Sequence, residues 1–579
     1  MPTDPRPTEP VEFLRRAEKE LLETSVEAQQ ADWVYCTYIT PDSEALSSKA
    51  SARLIDATVR LVKEAAHLPP KGLSAEQARK AKLLRLSLTT VAPGDPMLSE
   101  RLTKLVASMQ GAYAKGRHTP AGAKAPLDLQ ALSRILTESR DPAVLEDVWT
   151  GWHRVGRTVR PEFVEYVDLS NRGAREIGFA DTGAMWRSMY DMDPDAFAKE
   201  VDRLWAQVRP FYDSLHGFVR HRLRSVYGPD RVPERGLIPA HLLGNMWAQS
   251  WEGVYPLLAP PGSDPGFDLT RLLVDRGTTP TEMVRYAERF FVSLGLPSLP
   301  ASFWERSMLV RPQDREVVCH ASAWDIDYAE DLRIKMCIEI TGEDFHTIHH
   351  ELGHNYYQRA YGSLPFLYRG SAHDGFHEAV GDTVDLSVTP EYLSRIGLLK
   401  QVPDASSDTG LLLQRALEKV AFLPFGLVID KWRWSVFSGE IAPADYNRTW
   451  WAMRAEYQGV APPRPRDDEE FDPGAKFHVP SSVPYMRYFL AHILQFQFHR
   501  ALVKTAGIGG PLHRASIYGS KEAGRRLAEM LSMGASREWP DALEAVTGDR
   551  RMDATGLLEY FAPLRRWLDE QNRQAPVGW

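Results

Sequence analysis

The chain of 579 residues has 43% hydrophobic and 25% charged side chains, a composition typical of a globular protein that buries its core without disulfide support. Its 69 basic and 77 acidic residues give a net charge of −8, which argues against nucleic acid as the main partner. The stretch that comes closest to a membrane helix, residues 420–429, is too short and contains Pro424, so we expect no membrane segment.

The sequence carries few signals of a cellular compartment. Residues 1–9 are rich in proline and polar side chains and lack the apolar core of a signal peptide, so we expect a soluble chain without a visible export signal, cytoplasmic by default. The three cysteines, Cys36, Cys319 and Cys337, are too few for a disulfide framework, although one pair stays open.

Helical patterns fill the N-terminal part of the chain, from residue 10 to about 115. Apolar residues recur at helical spacing in residues 11–28, and residues 51–66 and 74–88 repeat the pattern with charged polar faces. Prolines at 69–70 and 93–96 separate these helices, and residues 116–125 form a loop. Helical patterns resume over 127–177 and 194–227.

The middle of the chain carries the only β signal. After a Pro/Gly-rich loop at 260–266, a helix is predicted over 280–294, where Thr279, Pro280 and Glu282 form a capping box. The segments 317–323 and 334–339 are then predicted as short strands on either side of an acidic turn.

The C-terminal half is again helical. Thr341 and Asp344 resemble a capping box, which predicts a helix that Gly362 ends. Further helices are predicted to begin at Asp374 and Pro390 and to cover 482–504, 521–533 and 554–571, with a proline- and acid-rich loop at 462–473. Because no repeat or linker divides the chain, we predict one all-α domain over residues 1–579, arranged as two halves around a cleft.

The helix that begins near Thr341 contains the motif H-H-E-L-G-H. His350 and His354 are four residues apart, so a helix places both imidazoles on one face, where they can reach one Zn²⁺ with Glu351 at the open side of the metal. His346 shares this face, but no glutamate separates it from His350, so we expect His346 to be a bystander. His349 points elsewhere. The alternative is a structural helix whose histidines face water.

A third ligand is expected on the next helix. Glu378 follows the motif there, and Asp382 lies one turn further along, where it would accept a hydrogen bond from a ligand histidine. A solvated acidic face is the alternative for both carboxylates. Three protein ligands would leave one position open for water, as in catalytic zinc sites. Glu351 would then take the proton of that water and pass it to the leaving amine.

Several longer blocks accompany this motif: the segments 349–354 (HHELGH), 375–382 (GFHEAVGD), 244–249 (GNMWAQ), 319–325 (CHASAWD) and 471–487 (FDPGAKFHVPSSVPYMR). Together they resemble the angiotensin-converting enzyme family of zinc peptidyl-dipeptidases, from about residue 10 to 570. The resemblance implies one predominantly helical catalytic domain of the zincin type. It also implies a deep central groove, a lid formed by the helices of about residues 10–115, and active-site elements within about residues 240–505.

The resemblance also implies an activity and the residues that carry it. Members release dipeptides from the C-termini of oligopeptides with one zinc ion per chain. The implied roles are Gln249, Lys476 and Tyr485 for the terminal carboxylate, His320 and His478 for the peptide backbone, Ala321 for strand-like pairing with the substrate, and His478 and Tyr488 for the oxyanion. An ammonium, an amide and a phenol suit a carboxylate well.

Chloride activates many members of the family. One chloride site matches Arg187, Trp450 and Arg454. The other keeps Arg487, but Phe218 stands where a tyrosine is usual, so a modest chloride dependence is expected.

The resemblance pairs Cys319 with Cys337 as a disulfide, which would fit an exported protein and conflicts with the missing export signal. Cys36 is then expected to be a buried free thiol. Two other functions stay open. One is a zinc carboxypeptidase that removes single residues, and the other is a catalytically silent peptide-binding protein on the same fold. The silent protein would be expected to lose metal ligands or Glu351, and this chain retains them.

Overall fold

The computed structural model describes residues 9–69, 71–262, 267–467 and 469–579. Residues 1–8 of the segment in which no signal peptide is expected, Pro70 of the proline pair, and residues 263–266 of the 260–266 loop lie outside the described residues.

Helices hold 64% of the chain and strands 3%, which confirms the prediction of a predominantly helical fold. The first helices are α1 (Pro10–Thr37), α2 (Pro41–Ala66), α3 (Ala75–Arg85), α4 (Pro96–Ala114), α5 (Leu129–Glu138), α6 (Pro142–His153), α7 (Val155–Glu176), α8 (Thr182–Ser188), α9 (Pro194–Tyr227), α10 (Tyr255–Leu258), α11 (Leu269–Asp275) and α12 (Pro280–Ser293). The others are α13 (Ala301–Arg306), α14 (Gly342–Tyr361), α15 (Asp374–Asp385), α16 (Pro390–Arg395), α17 (Asp408–Ser438), α18 (Tyr446–Met453), α19 (Met486–Thr505), α20 (Lys521–Met533), α21 (Trp539–Thr547), α22 (Thr555–Tyr560) and α23 (Ala562–Gln571). No helix among the described residues is long and apolar enough to cross a membrane.

Helix boundaries agree with the sequence prediction where caps are clear. The helices over 194–227 and 521–533 have the predicted ends, and the capping box at Thr279 is present. The helix predicted over 11–28 was too short, because α1 continues to Thr37 and buries Trp33 against Met308 and Ile326. The helix predicted over 554–571 is two helices, since a proline at the start of α23 favours a new first turn.

The predicted strands are present but displaced toward the turn that joins them. β2 (Ser322–Asp325) and β3 (Leu332–Lys335) pair antiparallel, with Ser322 opposite Lys335. Asp327 accepts hydrogen bonds from three backbone amides, those of residues 329–331, which tightens the turn and lets the ladder extend toward it. A parallel pair of two-residue strands, β1 (Ile238–Pro239) and β4 (Val460–Ala461), was not predicted because two residues are too few to show alternation.

The chain divides into two compact units, each built from three chain segments. The first unit comprises the described residues of Met1–Leu88, Phe267–Pro403 and Ile493–Gly556. It contains α1–α3, α11–α16, α20, α21 and the β2–β3 ladder. The second unit comprises the described residues of Thr89–Gly266, Asp404–His492 and Leu557–Trp579, and it contains α4–α10, α17, α18, α23 and the β1–β4 pair. The single-domain assignment, the groove and the lid stay predictions.

Two helices of the first unit, α14 and α15, make a close contact through glycine. A Cβ atom at Gly353 would lie 2.7 Å from the Cα of Gly381, closer than real Cβ contacts allow. The close contact at Gly353 brings α14, which carries His350 and His354, and α15, which carries Glu378, together.

The predicted capping box at the start of α14 forms only in part. The Thr341 side chain caps α14 by accepting from the amide of Asp344 at 3.1 Å. The Asp344 carboxylate accepts from the amide of Glu339 instead of returning to Thr341, so only half of the predicted capping box forms.

Candidate metal centre and active-site residues

The metal-ligand candidates of the first unit converge on one point. The Nε2 atoms of His350 and His354 are 3.1 Å apart, and the Nε2 of His350 lies 3.7 Å from the Oε2 of Glu378. One donor atom from each of the three residues lies within 4.8 Å of the other two. Since α14 supplies the histidines at i and i+4, and α15 supplies the glutamate, the close contact of these helices creates the cluster.

The chemistry of this cluster fits zinc. Two imidazole nitrogens and one carboxylate are a donor set that catalytic zinc sites use, with a fourth position left for water or substrate. The His350 and Glu378 side chains are 22% and 32% exposed, so the centre is accessible from solvent. A structural zinc site would instead use four protein ligands.

Asp382 orients the first ligand histidine. Its Oδ1 lies 3.1 Å from the Nδ1 of His350, and its Oδ2 accepts a hydrogen bond from the Nε2 of Gln495 at 3.0 Å. Burial by itself would lower the pKa of His350, but the carboxylates of Asp382, Glu351 and Glu378, with Asp382 contributing most, together outweigh burial and raise that pKa to about 9. The contact with Asp382 is the one that the sequence predicted. Gln495 was not predicted, because a buried glutamine in an apolar helix gives no pattern that points to a metal site.

Glu351 follows His350 directly on α14. It is 9% exposed, and burial raises the pKa of its carboxyl group, an effect that His350 and His320 partly oppose. A carboxylate with a raised pKa beside a metal-ligand cluster suits a general base.

The two remaining histidines of the motif region make other contacts. His346 pairs through Nδ1 with Asp385. His349 is fully buried, with Nδ1 at 2.7 Å from the carbonyl oxygen of Phe345 and Nε2 at 3.1 Å from the hydroxyl of Tyr392. Neither residue belongs to the candidate metal cluster.

The 319–337 region of the first unit contains the predicted disulfide. Cys319 and Cys337 are joined, which confirms that pairing, and Cys36 is free but only half-buried, with burial raising the pKa of its thiol. The Nζ of Lys335 donates to the carbonyl oxygens of Val318 and His320, which fixes the backbone beside the bridge. Ala321 follows directly, before β2 begins.

In the second unit, three predicted substrate-binding residues meet at one atom. The Nζ of Lys476 and the hydroxyl of Tyr485 both donate to the Oε1 of Gln249, at 2.7 and 3.4 Å. The ammonium also lies 4.0 Å from the ring centre of Trp247. Burial lowers the pKa of Lys476 to about 7. An ammonium and a phenol that converge on one amide oxygen, beside the amide's own NH₂ donor, form a cluster suited to a carboxylate.

His478 and Tyr488 lie beside this cluster. The His478 ring is 4.7 Å from the Tyr485 ring and 5.8 Å from the Tyr488 ring. Burial, together with the charge of Lys476, lowers the pKa of His478 to about 3, so its imidazole is neutral. Its Nδ1 is buried and has no hydrogen-bond partner among the described residues.

A buried ion pair that the sequence reading missed supports these side chains. Asp430 and Arg433 on α17 are 1% and 0% exposed, and the Nε of Arg433 donates to Asp430 at 3.0 Å. The Oδ2 of Asp430 accepts from the amides of Tyr485 and Met486, each at 2.7 Å. Arg433 donates to the carbonyl oxygen of His478 at 2.9 Å. Two opposite charges spaced i and i+3 within the apolar run of α17 were the available signal.

The residues predicted for the first chloride site, Arg187, Trp450 and Arg454, all belong to the second unit, where Arg187 and Arg454 lie beside different tryptophan rings. The guanidinium of Arg454 lies 5.4 Å from the Trp450 ring, and burial lowers the pKa of Arg454 to about 9. Arg187 lies 5.4 Å from the Trp434 ring and 3.6 Å from Asp195, and its Nε has no partner among the described residues.

The second predicted chloride site would use Arg487, with Phe218 at the position where the family usually has a tyrosine. Phe218 packs its ring 4.9 Å from that of Trp567 and offers no hydroxyl group. Arg487 contributes to the lowered pKa of His478.

Comparison with known proteins gives long matches. The family model Peptidase_M2, described as angiotensin-converting enzyme, matches residues 6–579. The chain is 44% identical over 562 residues to angiotensin-converting enzyme of Rattus norvegicus, across 95% of this chain but 42% of that protein. Its identity to the enzymes of Theromyzon tessulatum and Haematobia irritans exigua is 41% and 39%, across 90% and 93% of those proteins. The chain thus spans less than half the length of the Rattus norvegicus protein and most of the two shorter relatives.

Proposed function

This chain belongs to the angiotensin-converting enzyme family, and we propose that it is a zinc-dependent peptidyl-dipeptidase that releases C-terminal dipeptides from oligopeptides. The observation that carries the proposal is the convergence of His350, His354 and Glu378, with the buried carboxylate of Glu351 adjacent on the same helix. Each of the four residues has the chemical type that hydrolysis at a catalytic zinc requires.

His350, His354 and Glu378 would hold one zinc ion, which supplies a Lewis acid for the peptide carbonyl and lowers the pKa of a water molecule. Glu351 accepts the proton of the attacking water on its carboxylate and then delivers it to the nitrogen of the leaving dipeptide. The raised pKa of Glu351 favours the first transfer, because a more basic carboxylate takes up a proton more readily, and the leaving amine is still basic enough to accept that proton in the second. Asp382 keeps the Nδ1 proton of His350 in place, so that Nε2 is the nitrogen left for the metal.

His478 and Tyr488 are assigned to the oxyanion that forms at the carbonyl carbon. Both can donate hydrogen bonds, the imidazole as a neutral donor and the phenol through its hydroxyl. His478 and His320 also bind the peptide backbone, and Ala321, next to the backbone that Lys335 fixes, pairs with it as a short strand.

The dipeptide specificity is assigned to Gln249, Lys476 and Tyr485. The ammonium of Lys476 and the hydroxyl of Tyr485 both donate to the Oε1 of Gln249, and the ammonium is buried without a carboxylate partner among the described residues. A terminal carboxylate of a peptide would supply the missing negative charge. The family resemblance implies that this carboxylate lies two residues beyond the scissile bond, and on that basis these three residues are proposed to select C-terminal dipeptides.

Chloride is proposed as a modest activator. The buried guanidinium of Arg454 beside Trp450 supports an anion near that residue, and Arg187 is its proposed partner, whereas Phe218 weakens the site at Arg487. The rate of hydrolysis measured in chloride and in chloride-free buffer tests this proposal, and equal rates would contradict it.

The Cys319–Cys337 bridge supports folding in an oxidising compartment.

The decisive test is product analysis with a defined pentapeptide by mass spectrometry, with the zinc content of each sample measured. The expected first products are a tripeptide and a C-terminal dipeptide, and a chelator should abolish both. A free single amino acid as the first product would instead identify a carboxypeptidase. No cleavage by the zinc-loaded chain would favour a silent binding protein.

Glu351→Gln is the matched variant for this test. It should keep zinc and lose turnover, because the amide cannot accept the proton. Glu343→Gln changes an exposed glutamate of the same helix and serves as the control. Normal turnover of Glu351→Gln would contradict the assignment of the base.

A further inference from the structure

The two ligand histidines of the candidate zinc centre are held by different kinds of group. The Nδ1 of His350 faces the carboxylate of Asp382 at 3.1 Å. The Nδ1 of His354 instead lies 2.9 Å from the Nδ1 of His377, a neighbouring imidazole on α15. Ligand histidines usually donate this proton to a carboxylate, a backbone carbonyl or water, so an imidazole acceptor is unusual.

Zinc binding at His354 would determine the direction of the hydrogen bonds that run from His354 through His377 to Tyr361. When Nε2 of His354 binds zinc, its Nδ1 carries the proton and donates to Nδ1 of His377. His377 must then carry its own proton on Nε2. That atom lies 3.2 Å from the hydroxyl oxygen of Tyr361, which can accept it. One tautomer of His377 satisfies both contacts, and the other would place two protons between the rings.

Packing holds the His377 ring in this orientation. The Tyr357 ring lies 4.7 Å from it, and Tyr357 and Tyr361 are one turn apart on α14. His354 precedes them on the same helix face. Three residues of α14 therefore fix the position of one imidazole of α15.

We propose that His377 is a positioning residue for the zinc ligand His354, accepting its Nδ1 proton, and that Tyr361 fixes the tautomer of His377 that makes this contact. The inference rests on the zinc site of the proposed function. On this proposal the Nδ1 proton of His350 is accepted by a carboxylate, that of Asp382, whereas the Nδ1 proton of His354 is accepted by a neutral imidazole, that of His377.

The test compares zinc dissociation constants, measured by competition with a chromophoric chelator, for the zinc-loaded native chain and for two amide variants. His377→Asn places an oxygen near the position of Nδ1 and should keep affinity close to that of the native chain. His377→Gln places its amide near the position of Nε2 and should weaken zinc binding by about 10- to 100-fold, the usual effect of losing such a partner. Thermal unfolding of each variant without metal separates this effect from a loss of stability.

Tyrosine variants test the second step. Tyr361→Phe removes the acceptor of the His377 proton and should weaken zinc binding less than His377→Gln does. Tyr356→Phe is the control on the same helix, since the Tyr356 hydroxyl has no hydrogen-bond partner among the described residues. It should leave zinc affinity unchanged.

Equal zinc affinity in the native chain, His377→Asn and His377→Gln would overturn the proposal, as would equal losses in both variants that track their melting temperatures. Equal zinc affinity in the native chain and Tyr361→Phe would overturn the second step alone. Failure of the native chain to bind zinc would contradict the proposed function itself.

Discussion

The Nζ of Lys476 donates to the Oε1 of Gln249 at 2.7 Å and has no carboxylate partner among the residues that the structure describes. A buried ammonium without a counter-charge is costly, and burial accordingly lowers the pKa of Lys476 to about 7. A site that tolerates this cost is expected to recover it when an anionic ligand binds.

Lys476→Met should therefore raise KM for oligopeptides and leave kcat nearly unchanged. A hydrogen bond to a charged group contributes about 1.5–3 kcal/mol, which corresponds to a roughly 10- to 100-fold rise in KM. Amidation of the peptide C-terminus should cost the native enzyme a comparable factor and the variant little more. Lys199→Met, at an exposed lysine of the same unit, should behave as the native enzyme. Equal sensitivity of both variants to amidation would contradict the role of Lys476.

The lowered pKa of Lys476 also predicts a pH dependence. Below about pH 7 the side chain of the free enzyme is protonated and ready to pair with a carboxylate, and above it the neutral amine dominates. Binding must then supply a proton, so kcat/KM should fall as the pH rises above about 7. Lys476→Arg keeps its charge and should lose this limb of the profile. The same limb with an amidated peptide would assign it to another group.

Clear local signals explain which parts of the site could be predicted. His350, His354 and Glu378 were recognisable because metal ligation requires particular residue types at helical spacing. Gln249, Lys476 and Tyr485 have no such spacing, and only the resemblance connected them. Their meeting at one oxygen depends on chain segments far apart in sequence, which no local pattern encodes.

The support of the site was less predictable than the site itself. His377 was visible only as the residue before Glu378, and its contact with His354 depends on the packing of α14 against α15. Asp430 and Arg433 appeared as two charges in an apolar helix, and their partners are backbone groups. A hydrogen bond to a backbone group does not depend on the residue type of the partner. The sequence therefore cannot predict such contacts, and only the three-dimensional structure shows them.

Asp430→Asn should destabilise the protein and impair substrate binding. The substitution leaves Arg433 buried without a negative partner, and breaking a buried ion pair costs about 3–5 kcal/mol. The melting temperature should fall by several degrees, and KM should rise because asparagine has only one acceptor oxygen, which cannot serve both Arg433 and the backbone amides of Tyr485 and Met486. Asp445→Asn breaks a pair of the same spacing with Arg448 at the surface and should have little effect. Equal melting temperatures for the two variants would contradict the prediction.

Gly353→Ala should disturb both stability and the metal centre. The added methyl group would lie 2.7 Å from the Cα of Gly381, so α14 and α15 must separate. Overpacking of this kind costs about 1–3 kcal/mol, and zinc affinity should fall because the two helices carry the ligands together. Gly111→Ala in α4 has open space around the new methyl group and should be neutral or slightly stabilising. Melting temperature and chelator competition report the two effects separately.

Asp382→Asn should weaken zinc binding by about 10- to 100-fold with a small effect on folding. Asparagine keeps an oxygen near the Nδ1 of His350 but loses the negative charge, which makes the imidazole a poorer ligand. Asp385→Asn, three residues later on the same helix, removes the charged partner of His346 and is the matched control. Since His346 lies outside the cluster formed by the three ligands, zinc affinity should be unchanged in that control. Equal losses in both variants would show that the metal centre responds to negative charge on α15 in general, and that the contact between Asp382 and His350 has no special role.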